Sequence, residues 1–146
     1  MNINKLREQL IIDEGQVNEI YNDHLGYATF GIGHLVIEGD PELGAPIGTP
    51  VSEERVIECF EKDVETVISD CKILHEAWDG YPEEAKQVIA NMMFNMGRTR
   101  LSKFNKHNSA LQSGDWKTAA AEGRDSRWYK QVTNRAERLM SRLEEI

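Results

Sequence analysis

The strand-forming residues of this chain gather in one short stretch, residues 16–36, while helical patterning runs through most of the remainder. Val17, Ile20, Tyr21, Tyr27, Thr29, Phe30 and Ile32 favour strands there. Asp23-His24-Leu25-Gly26, Gly31 and Gly33 interrupt them. This pattern predicts a small hairpin or three-stranded meander inside a mainly helical α+β chain. The register depends on the turn. A three-residue turn at His24, Leu25 and Gly26 sets Asp23 opposite Tyr27 and puts Thr29 on the face of Asp23. A two-residue turn at Leu25-Gly26 sets Thr29 opposite Asn22 instead. Residues 37–51 hold three prolines and three glycines and read as an irregular loop.

On either side the period is helical. Asn4 to Asp13 is amphipathic through Leu6, Leu10 and Ile11, and Gly15 supplies a left-handed C′ residue, so Glu14 falls in the last turn. Ser52 is a cap for a helix of roughly twenty residues whose stripe is Val56, Phe60, Val64, Val67, Ile68 and Cys71. Pro82 suits a first helical position, and Val88, Ile89, Met92, Met93 and Met96 form the most apolar helix before Gly97 ends it. Trp116–Glu122 and Asn134–Leu143 follow, the latter with an Asn134–Glu137 capping box. The expected organisation is one domain: a helix and sheet lobe over residues 1–51, a connecting helix over 52–75 and a helical lobe over 76–146.

At 146 residues, with 40% hydrophobic and 29% charged, the chain is the size of one globular domain. No run approaches the ~20 apolar residues of a membrane span, and Met1–Lys5 opens no signal-peptide pattern. Cys59 and Cys71 lie twelve residues apart on one expected helix, roughly 18 Å, too far for a disulfide, so both are expected as free thiols. The net charge of −8 is uneven: residues 1–97 carry 6 basic and 19 acidic residues, and residues 98–142 carry 11 and 4. The overall sign disfavours a general nucleic-acid binder. The basic third suits either a polyanion or attraction to the acidic lobe.

Glycoside hydrolysis needs a carboxylic acid to protonate the leaving oxygen and a carboxylate to activate water or attack the anomeric carbon. Glu14 at a helix end, Asp23 at a hairpin turn and a hydroxyl at Thr29 supply those groups. Many proteins space a Glu and an Asp this way, so spacing alone does not identify the reaction.

The longer pattern is more specific. Asp13-Glu14-Gly15, then Tyr21-Asn22-Asp23-His24-Leu25-Gly26-Tyr27-Ala28-Thr29-Phe30-Gly31-Ile32-Gly33-His34-Leu35, resembles the signature of the phage lysozyme family. Asn91–Gly97, Ser126–Gln131 and Asn134-Arg135-Ala136 resemble its later elements, so the likeness runs over nearly the whole chain.

The resemblance implies a lysozyme-like fold and a muramidase. Its cleft between lobes would take the peptidoglycan glycan strand and cut the β-1,4 bond after N-acetylmuramic acid. Glu14 would be the general acid, with Asp23 and Thr29 holding the attacking water, usually with inversion. Leu35, Phe94, His107 and Glu122 fall at family sugar-binding positions, the last two departing from its usual small polar residues. Gly31, His34 and Arg135 would support the site. A general acid must hold its proton at working pH, which burial favours and a cation such as Arg135 opposes. No cofactor, metal, nucleic acid or stable membrane association is implied. The expected protein is a monomer, held in the host cytoplasm before lysis and acting on the periplasmic wall after release.

Simpler roles compete at single residues. Trp116 and Trp128 read as packing residues before sugar platforms, and Phe94 serves core or cleft. His34 reads as a structural histidine paired with Asp63. Gly31 and Gly33 read as conformational, and the acidic run at 53–65 as a solvated helix face. Against hydrolysis stand a lytic transglycosylase, which needs one acid only, and a non-catalytic wall-binding module.

Overall fold

A computed structural model of the chain describes residues 1–146. Helix α1 (Ile3–Glu14) leads into strands β1 (Val17–Asn22), β2 (Ala28–Gly31) and β3 (His34–Leu35). Helices α2 (Glu53–Leu74), α3 (Glu83–Leu101), α4 (Asn105–Gln112), α5 (Trp116–Arg124), α6 (Arg127–Gln131) and α7 (Thr133–Glu144) follow. One 3₁₀ turn, Trp78–Gly80, joins α2 to α3. The sheet is an antiparallel meander in the order β1-β2-β3, so the architecture is α+β as its sequence pattern predicts.

Two compact units divide the chain, residues 7–66 in one and residues 1–6 with 67–146 in the other. The division falls inside α2, where the sequence suggested a connecting helix between separate lobes. The first residues group with the later unit because Lys5 reaches Glu84 at 2.8 Å and the Asn2 carbonyl accepts from Gln87 at 2.8 Å.

In the unit of residues 7–66, Leu10, Ile20, Phe30, Ile32, Val56, Phe60 and Val64 form the core. Ser52 caps α2 as expected, its hydroxyl accepting from the Arg55 amide at 3.2 Å. The 37–51 loop is more ordered than its prolines and glycines suggest. Its end runs beside β1 through bonds from the Ile20 amide to Thr49 and the Val51 amide to Asn18. Arg55 fastens its middle to α2 by holding Glu42 at 2.9 Å and Asp40 at 3.3 Å.

The second unit is helical throughout. Its core centres on α3, where Val88, Ile89, Met92 and Met93 are buried, with Trp128, Leu139, Met140 and Leu143. Gly97 (φ 77°, ψ 164°) breaks α3 where its helical pattern ends. Pro82 stands one position outside the helix, at φ −56° and ψ 149°, rather than at its first residue. The Asn134–Glu137 capping box does not form. Helix α7 starts one residue earlier, and Glu137 is drawn instead to Arg124, Tyr129 and Ser141, charge-assisted bonds stronger than a backbone cap. Helix α4, absent from the sequence reading, is held by buried His107, Asn108, Ala110 and Leu111.

Cys59 and Cys71 are buried free thiols. No helix is long and apolar enough to cross a membrane.

Candidate active site

Glu14 is the last residue of α1, half-buried, placed there because Gly15 turns left-handed (φ 71°) and its amide closes the final turn on Ile11 at 2.9 Å. The turn between β2 and β3 comes up against it. A Cβ on Gly33 would stand 2.7 Å from Oε2 of Glu14, so a side chain there would push the carboxyl group out of this position.

The hairpin settles the register. Asn22 pairs with Ala28 and Tyr21 with Thr29, while the Asp23 amide donates to the Tyr27 carbonyl at 2.9 Å. The turn therefore has three residues, and Thr29 shares the face of Asp23. Asp23 is fixed by its own turn: Oδ1 accepts from the amides of Leu25 and Tyr27, each at 2.9 Å. Neither bond uses Oδ2. The Thr29 hydroxyl donates to the Tyr27 carbonyl at 3.0 Å, which leaves its lone pairs to accept. A carboxylate oxygen and a hydroxyl acceptor on one sheet face suit a water molecule that donates to both and turns its lone pair outward.

Tyr21, passed over in the sequence reading, completes this half of the site. Burial first, then the negative charges of Glu14 and Asp23, raise its phenol above the ordinary tyrosine range. The phenol thus lies in the field of both carboxylates and stays neutral. The signal was its place on β1, two residues before Asp23.

His34 is 6% exposed and faces the opposite side of β3 from Leu35. Its Nδ1 meets Asp63 of α2 at 2.7 Å, the expected partner. Its Nε2 meets Asp40 of the loop at 2.8 Å, which was not expected. Burial alone would discharge the ring, but the bonds to Asp63 and Asp40 outweigh it and raise its pKa. Gly31 packs on Val56, where a Cβ would lie 3.0 Å from Cγ1, in keeping with a backbone role. Leu35 pairs with Thr29 and is 46% exposed. Glu14, Asp23, Thr29, Gly31, His34 and Leu35 all belong to the unit of residues 7–66.

The remaining candidates, Phe94, His107, Glu122 and Arg135, belong to the other unit. Phe94 is half-buried on α3. Arg135 donates to the Asn91 side chain at 2.9 Å. His107 and Glu122 line a concavity of about 340 Å³ together with Lys103, Phe104, Lys106 and Asp125. His107 forms its floor rather than its rim: the ring is 2% exposed and Nδ1 is committed to the Ala119 carbonyl at 2.7 Å. Trp128 is a core residue, 1% exposed, with Nε1 donating to Asn95 at 2.7 Å. Trp116 packs edge-on against Tyr81. No group of three or more His, Cys, Asp or Glu side chains is placed to hold a metal ion.

Comparison with known proteins points the same way. The residue pattern described as phage lysozyme matches residues 12–145. The pre-baseplate central spike protein of Enterobacteria phage T4 is 32% identical over 92% of this chain, which corresponds to 26% of the spike protein. Probable T4-type lysozyme 2 of Dictyostelium discoideum is 29% identical over 97% of this chain and 95% of its own length. The peptidoglycan hydrolase of Pseudomonas phage phiKMV is 28% identical over 94% of this chain and 15% of its own length. The chain thus spans a minor part of the phage relatives and nearly all of the Dictyostelium one. A helix-terminal Glu14, the Asp23 turn and the Thr29 strand in an α+β lysozyme-like fold, with a match over almost its full length, place this chain in the phage lysozyme family.

Proposed function

We propose that the protein hydrolyses the β-1,4 bond between N-acetylmuramic acid and N-acetylglucosamine in bacterial peptidoglycan. The observation that carries this reading is the arrangement of acceptors at the hairpin. Asp23 is immobilised through Oδ1 alone, and the Thr29 hydroxyl has its proton committed to Tyr27. A water donating one proton to Asp23 Oδ2 and the other to Thr29 Oγ1 is oriented for attack on the anomeric carbon. Glu14 gives its proton to the glycosidic oxygen as the carbon–oxygen bond breaks. The water oxygen bonds to the anomeric carbon, and its proton passes to the Asp23 carboxylate. Attack on the face opposite the leaving group inverts the configuration. Solvent returns Glu14 and Asp23 to their starting states.

A lytic transglycosylase needs no positioned water and leaves an anhydro end, so the Asp23–Thr29 pair favours hydrolysis. The name of the phiKMV relative supports peptidoglycan as substrate. We assign the chain to phage-induced lysis, held in the host cytoplasm and acting on the wall after release. The spike-protein relative favours a second setting, a tail-associated enzyme acting at entry.

The test is wild type against Glu14→Gln on purified peptidoglycan, with products read by mass spectrometry. Reducing ends from wild type and a loss of roughly 100-fold or more in the variant are expected. Anhydro ends, or undiminished cleavage by Glu14→Gln, would overturn the reading.

A further inference from the structure

The sheet that carries Asp23 and Thr29 also presents an apolar surface to solvent. Thr29 pairs with Tyr21 on one side and with Leu35 on the other, so these three side chains share one face. The bond from the Asp23 amide to the Tyr27 carbonyl extends the ladder beyond β1. It sets Tyr27 abreast of Asp23, two residues from Thr29, on that same face. Thr29 is only 5% exposed, while Tyr27 is 58% exposed and Leu35 46%. A sunken hydroxyl is therefore flanked by two open apolar side chains.

The backbone of Tyr27 does all of its work within the protein. Its amide donates to Asp23 Oδ1, and its carbonyl accepts from the Asp23 amide and the Thr29 hydroxyl. The ring and its hydroxyl have no hydrogen-bond or ring partner. An aromatic side chain held open beside the reacting groups, on a backbone locked by three hydrogen bonds to Asp23 and Thr29, is preorganised for a ligand. The ligand chemistry follows from the ring. A β-linked pyranose has equatorial polar substituents and axial C–H bonds, so each of its faces is apolar and edged with hydroxyl and amide groups. The negative face of an aromatic ring attracts those C–H bonds, and a tyrosine hydroxyl reaches the polar edge.

We propose that Tyr27 is a stacking platform for a pyranose ring of the glycan strand next to the bond that is cut, with Leu35 continuing the apolar surface. This rests on the glycan-hydrolase reading above. Tyr27 is a specificity-determining residue there, acting on substrate affinity.

The experiment compares Tyr27→Ala, Tyr27→Leu and Tyr27→Phe in the full chain. KM and kcat are measured on soluble peptidoglycan glycan strands. Binding of a β-1,4-linked N-acetylglucosamine tetramer is measured by calorimetry in a Glu14→Gln background. Tyr27→Ala is expected to raise both KM and the tetramer Kd about five- to tenfold, with the loss on KM rather than kcat. Tyr27→Phe should stay within about twofold of the parent, and Tyr27→Leu should fall between. Unchanged KM and Kd in Tyr27→Ala overturn the proposal. So does a loss confined to kcat with unchanged tetramer Kd, which would reduce Tyr27 to a support for Asp23. If the parent protein neither cuts the strand nor binds the tetramer, the hydrolase reading itself fails and this one falls with it.

Discussion

Gly33 lies so close to Glu14 that a Cβ there would stand 2.7 Å from Oε2 and 3.0 Å from Cδ of the carboxyl group. The glycine also has φ +64°, which a side chain disfavours. Gly33→Ala therefore acts twice. It strains the turn by about 1 kcal/mol and displaces the proposed acid from its place. Activity on peptidoglycan should fall at least tenfold, mostly in kcat, while the melting temperature drops by only a few degrees. Retained activity in a folded Gly33→Ala protein would show that the Glu14 carboxyl is free to relocate.

His34 joins two elements at once, Asp63 on α2 and Asp40 in the loop, and both bonds require the ring to carry two protons for full strength. Its pKa in the folded protein is raised above its ordinary value near 6.5, so the clamp contributes fully below about pH 6.5. That contribution is lost as pH rises through the elevated value. Asp40 responds oppositely: burial alone would raise it, but the Ile37 amide, His34 and Arg55 lower it. Its contribution is present above the ordinary carboxylate range and lost as pH falls. His34→Gln should cost about 3 kcal/mol near pH 6 and progressively less toward alkaline pH, read from urea unfolding at several pH values. A cost independent of pH would refute the charged clamp.

How much of this was legible beforehand follows from the range of each interaction. Glu14, Gly15 and the helix end are local, and the sequence declares them. The partners Asp23 and Thr29 depend on one turn residue, since a two-residue loop would have moved Thr29 to face Asn22, and propensities did not decide between the turns. Asp63 was expected beside His34. Asp40 was not, because the loop carrying it reads as irregular until Arg55 and the β1 contacts order it. His107 was expected to touch substrate, yet it sits inward, 2% exposed, with Nδ1 bonded to the Ala119 carbonyl at 2.7 Å. That bond links residues twelve apart on two different helices and has no local signature.

The unit of residues 1–6 and 67–146 should be acid-sensitive through its buried histidines. His75 is fully buried, and burial followed by the nearby His107 lowers its pKa to about 4. Burial lowers His107 as well. The Nε2 atoms of both lack a partner, so neither ring has a counter-ion to steady a positive charge. The unfolded chain takes up protons near pH 6.5 and the folded chain does not, so stability falls as pH drops from about 6.5 toward 4. Each histidine contributes a slope of up to about 1.4 kcal/mol per pH unit. His75→Gln should flatten the melting curve against pH in that window. Glu84, held down to about 2 by Arg142 and Lys5, acts only at lower pH, so the two effects separate.

Thr29 offers a test of the proposed water. Its hydroxyl proton is already donated to Tyr27, so its part in the reaction is that of an acceptor. Thr29→Val keeps the shape and removes the acceptor, while the Tyr27 carbonyl keeps its bond from the Asp23 amide. Thr29→Ser keeps the hydroxyl. Valine should lower kcat by about 10²–10³-fold with little change in KM, and serine should recover most of the loss. Equal losses for serine and valine would mean that packing at Thr29, rather than its oxygen, is what the reaction needs.

The charge is as uneven in space as in sequence. The unit of residues 7–66 holds 3 basic and 14 acidic residues, against 14 and 11 in the other. Peptidoglycan is anionic, so the unit that carries Glu14 and Asp23 repels it at low ionic strength and slows encounter. Salt shortens that repulsion from about 10 Å at 0.1 M to about 3 Å at 1 M. Wall-clearing activity should therefore rise severalfold from dilute buffer to about 0.5 M sodium chloride, with the gain in kcat/KM. Glu53→Gln with Glu54→Gln removes two exposed charges at the start of α2, distant in sequence from the proposed catalytic residues. That variant should be faster than wild type at low salt and equal to it at high salt. A steep fall in wild-type activity with salt would reverse the argument and assign substrate capture to the basic residues of the second unit.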